Sequence, residues 1–352
     1  MKAPKTIAMP PAAWTLLALA LAAAASAAAA VAAEPGPGSG PPPAAAPAPV
    51  EYFPGRELCR LANRSIDESS GIAASRVHEG VFWTHNDSGG AAELYAFNEK
   101  GEDLGAYRVP GKNVDWEDLC SFKAGGKGFL VVADTGDNNH RRGGYQLYVC
   151  EEPAERPLAG RKAGVKLELK LVRKIELVYA DGASRDCEAI TAEPDGSRIY
   201  LAVKVRTKPG AGILSTDDGG EGKVFALDLK LDAKDAKDAK DAKDGEVMKA
   251  REIAAHGLLN VTAMDISADG RRAALQTYGN AHEYVRAEGA AWEQAFKAGA
   301  RTIELPARRQ GEGLCYGPDG RTLYLTSEGA GGCPLYVVEP KSENSKPQNV
   351  EH

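Results

Sequence analysis

Residues 187–203 read CEAITAEPDGSRIYLAV, and two later stretches repeat the plan: VTAMDISADGRRAALQT at 261–277 and GEGLCYGPDGRTLYLTS at 311–327. Aligned on the Asp of their Asp-Gly turns, Asp195, Asp269 and Asp319, the three fall into register. Seven residues before that Asp stands Glu188, Thr262 or Glu312; nine after it stands Lys204, Tyr278 or Glu328. Each copy is an apolar run, a turn and a second β-rich run ending in a polar residue, the pattern of a hairpin. Two more copies have looser turns: SGIAAS (70–75) with GVFWTHN (80–86), and DLCSF (118–122) with GFLVVAD (128–134).

A third strand recurs at 93–98, 146–153, 223–228 and 334–340, more weakly at 283–288, and fourth strands fit at 104–109, 165–179, 247–254 and 301–305. Four antiparallel strands repeated along a chain predict an all-β fold, a β-propeller of four-stranded blades. Five units are countable, and the long intervals after Glu117 and Glu188 leave room for a sixth. The last unit runs out of chain after its third strand, so the early strand RELCRLA (56–62) is expected to complete it and close the ring. That closure would bring Cys59 near Cys333, where a disulfide is expected.

In a propeller the first strand of each blade lines the central axis, so equivalent positions form rings. The first ring reads Ser70, Glu117, Glu188, Thr262, Glu312, and the second reads Asn86, Asp134, Lys204, Tyr278, Glu328. Asp115 and Asp186 add carboxylates two residues before Glu117 and Glu188. A charge placed just before an apolar strand is costly in a core but not in a wet funnel. Carboxylates converging on one axis repel unless a proton or a cation intervenes, and calcium, a hard ion with a flexible set of oxygen ligands, suits them. A hydrated ring hydrogen-bonded between blades is the competing reading. Two loops after second strands, THNDSGG (84–90) and ADTGDNNHRR (133–142), place His85, Asn86, Asp87, His140, Arg141 and Arg142 at the same face. Part of that composition is ordinary turn chemistry; the His and Arg residues suggest contact with an anionic ligand.

The ends and the balance of charge bound the rest. With 352 residues, 43% hydrophobic, 26% charged and a net charge of -6, the chain can bury a large core and has no basic excess for nucleic acid. Lys2 and Lys5 precede an apolar, Ala-rich run to Ala33 that reads as a cleaved signal peptide over 1–33, with cleavage after Ala27 or Ala33. An uncleaved anchor is the alternative. Residues 34–50 form a Pro/Ala/Gly tether, 51–340 the propeller domain, 232–244 (DAKDAKDAKDAKD) a solvated insertion and 341–352 a disordered tail; 289–299 reads as a short amphipathic helix. The expected location is periplasmic or extracellular, with no membrane span after signal cleavage. Six scattered cysteines form no zinc or redox motif.

The set HNDSG (85–89), DWEDL (115–119), ADTGDN (133–138), RDCEAI (185–190), QGEGL (310–314) and LYLTSEG (323–329) resembles an exported bacterial propeller family akin to the phytase-like and esterase-like calcium propellers, over residues 56–340. The resemblance implies metal binding by Glu117, Glu188, Glu312 and Asp134, and six blades. Lys204 and Tyr278 interrupt the acidic ring and so depart from a multi-calcium centre. Three functions follow as expectations. The first is a calcium- and small-ligand-binding module, with His85, Asn86, Asp87, His140, Tyr278 and Glu328 around the ligand. The second is a calcium-dependent ester or phosphoester hydrolase, with Glu188 or a metal-bound water activating the attack and Lys204 or Arg141 steadying the anion. The third is a scaffold for another protein. No G-x-S-x-G or H-E-x-x-H motif supports a serine esterase or a zinc protease.

Overall fold

The computed structural model describes residues 45–160, 167–206, 221–229, 247–329 and 331–341. The expected signal peptide, residues 34–44 of the tether, the 232–244 insertion and the tail beyond 341 lie outside the described residues. After β1 (Arg56–Arg60), a first unit is built from β2 (Ser69–Ala74), β3 (Val81–Asn86), β4 (Glu93–Asn98) and β5 (Asp103–Arg108). The second comprises β6 (Trp116–Ala124), β7 (Lys127–Asp134), β8 (Tyr145–Glu151) and, after the two-residue β9 (Leu167–Glu168) that pairs with β5, strand β10 (Lys170–Tyr179). The third is β11 (Cys187–Ala192), β12 (Arg198–Val203), β13 (Lys223–Asp228) and β14 (Val247–Ala255). The fourth is β15 (Val261–Ile266), β16 (Arg272–Thr277), β17 (Ala281–Val285) and β18 (Arg301–Ile303), with α1 (Trp292–Ala298) in its outer connection. The fifth, β19 (Gly311–Tyr316), β20 (Leu323–Ser327) and β21 (Pro334–Val338), is completed by β1, which runs antiparallel to β21. Among the described residues no helix is long and apolar enough to cross a membrane.

The first strands of successive units pack in the order β2, β6, β11, β15, β19 and back to β2, which makes the fold a propeller. Its core is divided accordingly. Five apolar clusters each lie between two neighbouring units, for example Trp83 and Leu94 against Leu119 and Leu130, or Ile72 and Phe82 against Cys315 and Leu335. Each such side chain, fully buried, contributes roughly 1.5–3 kcal/mol, so the ring is held by its seams. At the outer edge β10 pairs in parallel with β14, joining the second and third units into one eight-stranded sheet.

The repeat has a local cause at each end of the hairpin. At the turn, Gly196, Gly270 and Gly320 take φ of 73°, 68° and 65°, a left-handed conformation open to glycine, while the Asp before each accepts backbone N–H groups beyond it. At the other end, all five first strands carry a β-bulge, and the extra residues are Ser70, Glu117, Glu188, Thr262 and Glu312. A bulge leaves its extra residue outside the ladder and re-aims its side chain. The first ring of the alignment is therefore a ring of bulges.

Behind that ring the axis is filled by buried polar groups. Asp118, 0% exposed, accepts N–H bonds from Leu119 (2.7 Å), Ile190 (2.8 Å) and Met264 (3.3 Å), tying β6 to β11 and β15. Gly71 gives it room, since a Cβ there would lie 3.0 Å from Asp118 Oδ1. Asp265 accepts the Tyr316 N–H at 2.8 Å and lies 3.6 Å from Arg76, whose guanidinium also donates to Ser121 Oγ and the Ile266 carbonyl. Acid and base from the first, second and fourth units thus meet there, the fifth supplies the Tyr316 N–H, and the third adds Thr191 Oγ1, which donates to Asp265 at 3.4 Å.

One expectation is corrected. No disulfide joins Cys59 and Cys333: all six cysteines are free, Cys59 is paired across the sheet with Leu335, and its Sγ contacts the Glu99 carbonyl at 3.5 Å. The last residues of the tether lie against the fourth unit. Arg271, Arg272 and Arg301 donate to the carbonyls of Ala45, Ala48 and Val50, and Arg272 also makes a buried 3.1 Å ion pair with Glu283.

Candidate functional site

On the bulge side of this layer lies a cavity of about 370 Å³ lined by Asp87, Glu117, Asn138, Glu188, Lys204, Arg206, Asn260, Tyr278, Gln310 and Glu312. Three carboxylates from different units, Glu117, Glu188 and Glu312, thus share one space. They are nearly buried, at 5%, 4% and 5% exposure. Two triads have ligand oxygens within 4.8 Å of one another and could hold a metal ion: Asp87, Asp115 and Glu117, and Glu117, Asp186 and Glu188. Glu117 belongs to both. Gly136 makes this convergence possible, because a Cβ on it would lie 2.1 Å from Glu117 Oε1 and 2.6 Å from the Asp115 carboxylate.

Charge is unevenly compensated. Glu188 is held by Lys204 Nζ at 2.8 Å and by Arg206 at 2.9 Å, and the same Arg206 nitrogen lies 2.9 Å from Asp186. Lys204 also donates to the Tyr278 hydroxyl at 3.0 Å, and Gln310 donates to both Glu312 (2.6 Å) and Glu328 (2.8 Å). Glu117 receives no hydrogen bond and no ion pair among the described residues. Burial first, then repulsion by Glu188, Asp87, Asp186 and Asp115, pushes its carboxyl well above the usual range. Burial, with repulsion by Glu188, pushes Asp186 up to about 7 against the pull of the Asp137 N–H and Arg206; Glu312 is likewise raised to about 7, against its bond from Gln310. One carboxylate oxygen of Glu312 is buried without a hydrogen-bond partner among the described residues.

Several residues of the two loops stand elsewhere. Asp134, fully buried, is ion-paired with Arg142 at 2.8 Å and accepts the N–H groups of Val114 and Asp115; it lies behind Asp115 and outside both triads. Arg141 and His140 are exposed and do not line the cavity. Their loop is organised by Asp137, which accepts the N–H groups of Arg141 and Arg142 at 2.8 Å and the Tyr145 hydroxyl at 3.1 Å. Asn86 caps a turn, accepting from Asp67 and Glu68 and donating to Ser65. His85 is buried edge-on against Trp116, and burial pushes its imidazole down to about 4. Asp87 and Tyr278 line the cavity, Tyr278 exposed at its rim, and Glu328 flanks it through Gln310. Arg206, Asn138, Asn260 and Gln310 were not singled out by the sequence; Arg206, two residues beyond Lys204, continues the second ring outward, whereas the amides carry no signal beyond turn composition.

No protein-family model matches this chain, and no curated protein sequence does. Among solved structures it is similar to the hydrazine synthase of Kuenenia stuttgartiensis, at 11% identity and a TM-score of 0.39 over 76% of this chain and 70% of that one. It is also similar to the PQQ-bound aldose sugar dehydrogenase of Streptomyces coelicolor, at 11% identity and a TM-score of 0.42 over 84% and 100%.

Proposed function

We propose that this chain is an exported propeller that binds a divalent cation, calcium, in its acidic cavity and there meets a small anionic ligand. The observation that carries the reading is Glu117: a carboxylate 5% exposed, without a donor among the described residues, shared by two triads whose oxygens stand close enough for one ion. Such a group needs a proton or a cation. The donors are all carboxylate oxygens, with no His or Cys in either triad, which favours a hard cation over zinc. Export rests on the Lys-flanked apolar N-terminus, and calcium on the resemblance to the phytase-like and esterase-like propellers.

The test is thermal melting of the chelator-stripped protein with added calcium. A calcium-dependent rise in melting temperature that disappears in Glu117→Gln is expected; an identical melt with and without calcium overturns the reading. A second reading, hydrolysis of a phosphate or carboxylate ester, is favoured by Lys204 and Arg206, cationic groups in the same cavity as the acids. It predicts chelator-sensitive release of p-nitrophenol from p-nitrophenyl phosphate or acetate, abolished by Glu188→Gln.

A further inference from the structure

The two triads that share Glu117 differ in what already occupies them. Around Glu117, Asp186 and Glu188 the chain supplies two cationic groups: Lys204 Nζ 2.8 Å from one oxygen of Glu188, and Arg206 2.9 Å from both the other oxygen and Asp186. Lys204 is not a loose surface lysine. Its side chain is 3% exposed, its Nζ bonds the Tyr278 hydroxyl at 3.0 Å and stands 5.0 Å from that ring's centre, and its backbone N–H is fixed to the Asp186 carbonyl at 2.8 Å. Around Asp87, Asp115 and Glu117 no Lys or Arg makes an ion pair among the described residues. The nearby Arg142 is committed to Asp134 at 2.8 Å and to the Gly136 carbonyl at 2.9 Å.

Resting on the cation reading above, we infer that Lys204 and Arg206 take the place of a second divalent ion, so that the cavity loads one cation, at Asp87–Asp115–Glu117, and neutralising Lys204 opens a second site at Glu117–Asp186–Glu188. The argument is one of charge and space. An ammonium at 2.8 Å from a carboxylate oxygen occupies the region a metal would take, and a second cation beside it would face fixed positive charge at short range. Removing the ammonium leaves Glu188 and Asp186 with Arg206 alone, whose side chain is 43% exposed. Lys204 thereby sets how many ions the ring accepts.

The experiment counts ions. The purified full-length chain, saturated with calcium and dialysed, should carry one calcium per chain by elemental analysis, and Lys204→Met should carry two. Lys204→Arg should return the count to one, and Glu188→Gln in the Lys204→Met background should remove the second ion. Two ions in the wild type, or one in a Lys204→Met variant that melts cooperatively, overturns the inference while leaving the cation reading intact; no ion in the wild type overturns the cation reading itself. Should Lys204→Met not fold, Lys204→Gln replaces it: a second ion there supports the inference, and a single ion in a variant that melts cooperatively overturns it.

Discussion

Glu117 and Asp118 are neighbours in the sequence and both buried, yet they live in opposite surroundings. Asp118 accepts three backbone N–H groups from three different units, whereas Glu117, set apart by its bulge, accepts none among the described residues. One carboxylate is consumed in holding the first strands of the ring together; the other faces a cavity full of like charge. A buried acid whose hydrogen bonds are met from within is architecture, and one whose bonds are not met is an opening for a guest.

The comparison is most easily broken at Asp118. Asp118→Ala strands three buried N–H groups, each costing about 1–3 kcal/mol, and should destabilise the fold by about 3–5 kcal/mol in urea titration. A loss under about 1 kcal/mol would mean that the axis is not held there.

The cavity side should respond to pH with a definite sign. Asp186 and Glu312 hold their protons up to about 7 when folded, against ordinary values of 3.8 and 4.5. Between those limits the folded state binds more protons than the unfolded one, so metal-free stability must fall as pH rises through the window and level off above it. The expected loss is on the order of 3–4 kcal/mol for each of the two groups, read from urea midpoints across the range. The Asp186→Asn/Glu312→Gln double variant should flatten that slope; an unchanged slope would place the strain elsewhere.

How much of this could be read from the sequence depends on whether the signal was local. The Asp-Gly turns, the alternating strands and the missing fourth strand of the last unit are short-range patterns, and they located the ring and its closure through β1. The alignment also found Glu117, Glu188 and Glu312, because a bulge recurs at the same offset in every unit. What it could not show is how each side chain is spent. Asp134 occupies an equivalent ring position but is neutralised by Arg142, and Asp118 reads as one more strand-leading acid although it is the central tie. Those distinctions are made by contacts between residues far apart in sequence, such as Asp118 with Met264. The disulfide expectation failed similarly: strand pairing was right, but register set Cys59 opposite Leu335.

A change of opposite sign sharpens the contrast. Glu117→Gln removes an unpaired buried acid from a crowd of four others, so the metal-free protein should gain about 1 kcal/mol at neutral pH. The same substitution at the neighbouring position, Asp118→Asn, should lose stability, because an amide accepts the three N–H bonds less strongly and brings donors that have no acceptor there. Melting both variants in chelator is sufficient; two shifts of the same sign would erase the distinction between the residues.

The smallest expected effect concerns Arg141, which shares a loop with Arg142. Arg142 reaches a fully buried partner, Asp134, and the Gly136 carbonyl, and so supports the backbone against which Asp115 and Glu117 pack. Arg141 contributes its backbone N–H to Asp137 and leaves its side chain in solvent. Arg141→Ala should therefore shift stability by less than about 0.5 kcal/mol and leave calcium binding unchanged, as for surface residues without partners. Arg142→Ala leaves Asp134 buried and unpaired and should cost several times more. If Arg141→Ala instead weakened binding of inorganic phosphate to the calcium-loaded protein, the ligand would have to extend beyond the cavity rim onto this loop, and the division between structural and ligand-facing charge would need to be redrawn there.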